Sequence, residues 1–124
     1  MVKGIGTDIV ATARIEAALK RTGRTFAQRI LTEFELAQFD VARQPAAFLA
    51  KRFAAKEAAA KALGTGIGRG ISWQHMHIEH DEMGAPLLIF SGAAAQRQAD
   101  LGSQTAHISI ADELDQALAF VVLS

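Results

Sequence analysis

Lys51-Arg52-Phe53-Ala54-Ala55-Lys56-Glu57-Ala58-Ala59-Ala60-Lys61-Ala62-Leu63, followed by Gly64-Thr65-Gly66-Ile67-Gly68-Arg69-Gly70, is the stretch that decides the fold. Alanine is the strongest helix former, so a long helix is predicted from about Ala46, just after the break at Gln44-Pro45, to Leu63. Its larger apolar residues are Phe48, Leu49, Phe53 and Leu63. Four glycines in the next seven residues exceed what a helix cap requires and mark a loop or hinge. On the helix, Glu57 and Lys61 stand at i and i+4 on one face, Phe53 lies one turn earlier, and Arg52 and Lys56 form a second charged row. A solvated helix with one favourable Glu-Lys pair, worth a few tenths of a kcal/mol at about 0.2–0.5 kcal/mol per pair, would account for the charges. The alanines at 54, 55, 58, 59, 60 and 62 argue against it, because they let a neighbouring backbone or ligand approach closely.

On the N-terminal side, Val2-Lys3-Gly4-Ile5-Gly6-Thr7-Asp8-Ile9-Val10 reads as a strand whose glycines allow a close passage. Asp8 inside it must be exposed, hydrogen-bonded or holding a cation. A helix is predicted from about Ala13 to Leu19, with Arg21 to Thr25 as a break. Thr32 and Glu35 have the spacing of a capping box, which starts a helix running to about Val41 or Ala42. On the C-terminal side, Ile71 to Ile78, a turn at Asp81-Glu82-Met83-Gly84, and Pro86 to Phe90 read as a β-hairpin. A short helix from about Ala93 to Leu101 follows, then strands His107–Ala111 and Ala117–Leu123. The order is that of an α+β domain spanning residues 1–124, with an antiparallel sheet and a long alanine-rich helix.

At 124 residues the chain is one domain's worth. Without cysteine it has no disulfide framework, thiolate metal site or cysteine nucleophile, which fits a reducing, cytoplasmic location. The apolar runs are far too short to span a membrane and the N-terminus lacks a signal-peptide pattern. A net charge of zero hides asymmetry: residues 1–69 carry twelve of the thirteen Lys and Arg against six acids, and residues 70–124 carry one Arg against seven. Either the first half meets an anionic partner or the halves neutralise each other in the fold.

The glycines do not form a dinucleotide fingerprint: they follow a helix instead of opening one, and Arg69 occupies the third position. No Walker motif is present. His75-Met76-His77-Ile78-Glu79-His80 suggests metal ligands, but in a strand His80 points away from His75 and His77. An exposed polar strand is the better reading. Asp8, Glu57 and Lys61 together would make a hard-cation site open to phosphate oxygens, since Mg²⁺ usually takes one or two protein carboxylates. The glycine loop after Lys61 could lay backbone N–H groups along a polyphosphate. A nucleic-acid-binding module would use the same basic half, but tyrosine is absent and the seven Phe follow apolar periodicity. A purely structural oligomer leaves the three charged residues without a role.

Gly4-Ile5-Gly6-Thr7-Asp8-Ile9-Val10 with Arg14-Ile15, and Phe48 through Ile67, resemble the holo-[acyl-carrier-protein] synthase family. The likeness extends to Ile30-Leu31-Thr32, Gly84-Ala85-Pro86 and His107-Ile108-Ser109-Ile110. The resemblance implies a 4'-phosphopantetheinyl transferase fold and transfer of phosphopantetheine from coenzyme A to a serine of acyl carrier protein, a step serving fatty acid biosynthesis. It implies Mg²⁺ on Asp8 and Glu57, Lys61 on the phosphates, and coenzyme A contacts from Arg52, Lys61, Gly64, Thr65 and Gly66. It also implies a homotrimer with sites between subunits. Many relatives place a histidine where this chain has Asp112, so no role of that histidine carries over. Glu57, Lys61, Glu35 and a water polarised by the metal and the carboxylates are candidate bases, the water being favoured. Carrier proteins are acidic, so the basic stretch with Arg14, Lys20, Arg21 and Arg24 is the expected docking face, Arg14 and Arg21 being one heptad apart.

Overall fold

The computed structural model describes residues 1–124. Strand β1 (Gly4–Ala11) pairs antiparallel with β5 (Gln116–Leu123), which pairs antiparallel with β4 (Ala106–Glu113), giving the order β1-β5-β4. A separate two-stranded sheet joins β2 (Met76–His80) to β3 (Pro86–Phe90). The expected antiparallel sheet is thus present as two ladders, with β3 lying beside β4.

Helix α4 (Pro45–Ala62) crosses the inner face of the larger sheet and buries 11 of its 18 residues. That excludes a solvated helix, and the alanines serve the approach. A Cβ at Gly4 would collide with the Ala62 carbonyl, and one at Gly6 with the Ala58 carbonyl and with Ala62 N at 2.7 Å. Glycine in β1 and alanine in α4 are two halves of one close contact between backbones. From β5, Ala117, Ala119, Val121 and Leu123 fill the same interior, with period two. The alternate positions Ile5, Ile9, Leu118 and Phe120 stand on the opposite, exposed face.

Three readings need correction. The supposed break at Arg21–Thr25 divides two helices, α1 (Thr12–Thr22) and α2 (Arg24–Ile30), which turn at Gly23 with φ +64°. Helix α2 has only seven residues, and its last turn is capped from a distance by Gln74 Nε2, which donates to the Gln28, Arg29 and Leu31 carbonyls. No local pattern reports such a cap. Second, Trp73–His75 is a 3₁₀ turn preceding β2, with His75 Nδ1 accepting from Ser72 N. Third, β4 continues through Asp112 to Glu113 and leaves only Leu114-Asp115 to turn. Pro45, read as a breaker, occupies the first turn of α4, where its missing N–H has no helical partner to lose.

Helix α3 (Glu33–Asp40) begins with the expected capping box. Glu35 also does more than cap. Buried completely, it receives Lys56 Nζ on Oε1 at 2.6 Å and Ile78 N on Oε2 at 2.9 Å, with Arg52 Nε 3.5 Å from Oε2. Lys56 Nζ further donates to the Ile30 and Trp73 carbonyls. Burial pushes the Lys56 pKa down and Glu35 opposes that fall. This cluster ties α3, α4, β2 and the 3₁₀ turn together, and it removes Glu35 from the candidate bases. A helix α5 (Gly92–Asp100) completes the fold.

Candidate active site

Asp8 projects from β1 on the side of α4, its side chain 17% exposed. Lys61, the penultimate residue of α4, donates from Nζ to Asp8 Oδ1 and to the Thr7 carbonyl, each at 3.0 Å. The i, i+4 spacing carries Glu57 to the same face. Its pKa is raised, first by burial and then by the negative charge of Asp8; Trp73, Lys61 and Arg14 oppose the rise. The two carboxylates therefore share a field that Lys61 does not neutralise. Strand and helix bring together the three residues singled out in sequence.

Glu57 opens on a cleft of roughly 430 Å³ between α1, α2 and α4, lined also by Arg14, Arg21, Phe26, Phe53 and Trp73. The Arg14 guanidinium lies 5.6 Å from the Phe53 ring centroid. Trp73, the chain's only tryptophan, packs on Phe53 with centroids 6.4 Å apart, and its buried indole N–H faces the Glu57 carboxylate without reaching full hydrogen-bond geometry. The sequence reading passed over Trp73. Its uniqueness in the chain was the one available signal.

The basic stretch is less uniform than its sequence suggests. Arg14 and Arg21 lie on α1 beside the cleft. Arg24 belongs to α2 and forms a two-pronged pair with Asp40 at 2.9 and 2.7 Å. Arg52 is only 3% exposed; its Nη2 donates to Gln38 Oε1 at 3.2 Å, its Nε faces Glu35 at ion-pair distance without a formed hydrogen bond, and the guanidinium stacks 4.6 Å from the Phe48 centroid. It borders a second cleft of about 300 Å³ with Lys51, His80 and Asp112.

In the glycine loop the backbone adopts positive φ at Gly64 (+78°) and Gly66 (+66°). The first three amides of the loop turn back to the helix. Gly64 N donates to Lys61 O, while Thr65 N and Gly66 N both donate to Ala60 O, because the carbonyls of the last helical turn compete for them. The histidines do not converge: His77 contacts Thr32 Oγ1 and Glu79, apart from the His75 contact with Ser72.

Residues 4–121 match the 4'-phosphopantetheinyl transferase superfamily. A holo-[acyl-carrier-protein] synthase from Vibrio cholerae serotype O1 is 53% identical over 123 residues, covering 99% of this chain and 98% of that protein. The chain belongs to the holo-[acyl-carrier-protein] synthase family. Among solved family structures, the Neisseria meningitidis synthase superposes with a TM-score of 0.94 at 46% identity, covering 100% of this chain and 99% of that one. The Helicobacter pylori synthase, solved in complex with coenzyme A, gives 0.84 at 34% identity over 97% and 99%. The α+β phosphopantetheinyl transferase fold expected from sequence is the fold of this family member, which is an enzyme of the holo-[acyl-carrier-protein] synthase type.

Proposed function

We propose that this chain transfers the 4'-phosphopantetheine arm of coenzyme A to a serine of apo acyl carrier protein, releasing adenosine 3',5'-bisphosphate. The observation that carries the reading is the Asp8, Lys61 and Glu57 cluster, set in a family whose relatives include a synthase solved with coenzyme A.

Two carboxylates close enough for Asp8 to raise the Glu57 pKa suit Mg²⁺, which takes one or two carboxylates and completes its shell with water and phosphate oxygens. Asp8 and Glu57 would hold it, and when bound it neutralises charge developing on the pyrophosphate. Lys61 has three N–H donors and uses two on Asp8 and Thr7 O, so one is free for a phosphate oxygen. The ammonium is thereby aimed before substrate arrives, which removes reorganisation from the transfer step. As the serine Oγ attacks the β-phosphorus, the bond from that phosphorus to the bridging oxygen breaks, adenosine 3',5'-bisphosphate leaves with the bridging oxygen, and the serine proton passes to a water beside Asp8 and Glu57. Coenzyme A contacts are assigned to Arg52, Lys61, Gly64, Thr65 and Gly66.

Arg14 and Arg21, flanking the cleft, offer the acidic carrier protein a docking face, with Arg24 at its edge. The exposed apolar face of Ile5, Ile9, Leu118 and Phe120 supports a homotrimer with sites between subunits. We assign the 1–124 domain to the cytoplasm and to fatty acid biosynthesis.

The test is mass spectrometry of apo acyl carrier protein incubated with this protein, coenzyme A and Mg²⁺, with EDTA as control. The expected result is a metal-dependent gain of about 340 Da, the mass of the transferred arm. No gain with several carrier proteins and folded enzyme would refute the reading.

A further inference from the structure

The last carbonyls of a helix lack partners within it, and at the end of α4 most are met by the loop that follows. Gly64 N reaches Lys61 O at 2.9 Å, and Thr65 N and Gly66 N reach Ala60 O at 3.3 and 3.1 Å. The Leu63 carbonyl is met differently. Arg97 of α5, thirty-four residues onward, donates to it from Nε at 2.9 Å. Arg97 is the only Lys or Arg in residues 70–124. Its Nη2 would lie 3.4 Å from a Cβ at Gly64, so the guanidinium covers the point where the chain enters its positive-φ turn. A cation there also faces the negative end of the α4 dipole.

We propose that Arg97 is a positioning residue for coenzyme A: by holding the Leu63 carbonyl it fixes Gly64-Thr65-Gly66 relative to Lys61. The residue touches neither the reacting atoms nor the metal carboxylates. Its effect reaches the ligand through the loop, and so rests on the reading that this loop contacts coenzyme A. Because Lys61 is held separately by Asp8 and Thr7, loosening the loop affects ground-state binding of coenzyme A more than the transfer step.

Arg97→Met keeps the aliphatic stem and removes the donors; Arg97→Lys keeps the charge but offers a single donating nitrogen in place of the guanidinium fork. Amide exchange on the unliganded full chain, coenzyme A calorimetry and steady-state kinetics are measured for both variants and the wild type. In Arg97→Met, exchange at Thr65 and Gly66 accelerates and the coenzyme A KM rises roughly tenfold, the scale of one charged hydrogen bond. The kcat and the carrier-protein KM stay within about twofold in the same variant. Arg97→Lys falls between Arg97→Met and wild type, and decides the matter if Arg97→Met does not fold. Unchanged loop exchange overturns the proposal even if coenzyme A affinity falls, and so does a parallel loss of kcat and both KM values. A wild type that binds no coenzyme A overturns the functional reading itself, and with it the ligand assigned to this loop.

Discussion

Lys56 and Glu57 are consecutive on α4, yet they belong to opposite regimes. Lys56 is wholly buried, its ammonium held by Glu35 and two carbonyls, inside a network that reaches α3, β2 and the 3₁₀ turn. Glu57 stands at the edge of a cleft, its carboxylate pushed toward the neutral form by burial and by Asp8. Both sites contain an acid, a base and a backbone carbonyl. In one the ammonium and the Glu35 carboxylate are satisfied inside the protein, and the cluster holds elements together. In the other charge is left over, and that is what a site for a cation and a polyphosphate requires. Satisfaction, more than residue type, separates the structural cluster from the chemical one.

The largest effect should come from breaking the buried side. Lys56→Met leaves the buried Glu35 with only the Arg52 guanidinium, 3.5 Å away, as its cation, and should cost about 3–5 kcal/mol of stability by urea unfolding; adding Glu35→Gln should recover part of it. A loss below about 1 kcal/mol, the range of exposed pairs, would erase the distinction between the two clusters. Asp8→Asn is its mirror image. Lys61 is 53% exposed, so stability should change by less than about 1 kcal/mol. Initial-rate assays should meanwhile show a fall on the order of 10²–10³ in kcat/KM.

A smaller effect is expected at the docking face. Arg14→Glu with Arg21→Glu should raise the carrier-protein KM roughly tenfold through lost charge complementarity and leave the coenzyme A KM unchanged. Arg24→Glu should act less, because Asp40 already engages that guanidinium. An unchanged carrier-protein KM in the double variant removes α1 from the interface.

The smallest is a pH effect. The folded Glu57 pKa lies above its ordinary value, so the folded chain binds more protons than the unfolded one in the interval between the two. Stability contributed by Glu57 is therefore greatest below the ordinary glutamate pKa and declines as pH rises through the raised one. Thermal midpoints of wild type minus Glu57→Gln, without metal, should trace that decline, and the Asp8→Asn background should shorten its span. A difference independent of pH would mean that the folded Glu57 pKa is not raised, and an unchanged span in the Asp8→Asn background would mean that Asp8 and Glu57 do not share a field.

Much of this architecture was legible because its signals are local. The Thr32 to Glu35 spacing reads directly as the capping box observed, with Thr32 N donating to Glu35 Oε1 at 2.9 Å. Glu57 and Lys61 announce a shared face by spacing alone, and an acid inside a strand singled out Asp8 on desolvation grounds. What stayed hidden depends on distant partners. Nothing beside Lys56 distinguishes it from Lys51 or Lys61; only tertiary structure places it opposite Glu35, twenty-one residues away. Arg24 looked like one more surface cation until Asp40, sixteen residues on, folded against it. The amides of Thr65 and Gly66 seemed free for phosphate because the end of the preceding helix was not known to the residue.

The glycines of β1 act as a gauge. Gly6 lies two residues before Asp8 and meets α4 with hydrogen atoms where any other residue would carry carbon. The span between the strand bearing Asp8 and the helix bearing Glu57 is thus set by main chain against main chain, with no side chain able to repack as a shim. The Mg²⁺ proposed for Asp8 and Glu57 would form coordination bonds of about 2.1 Å, which tolerate errors of a few tenths of an ångström. A single methyl group at Gly6 would force the strand outward by more than that, so the tolerance of the chemistry is written into the thickness of the smallest residue.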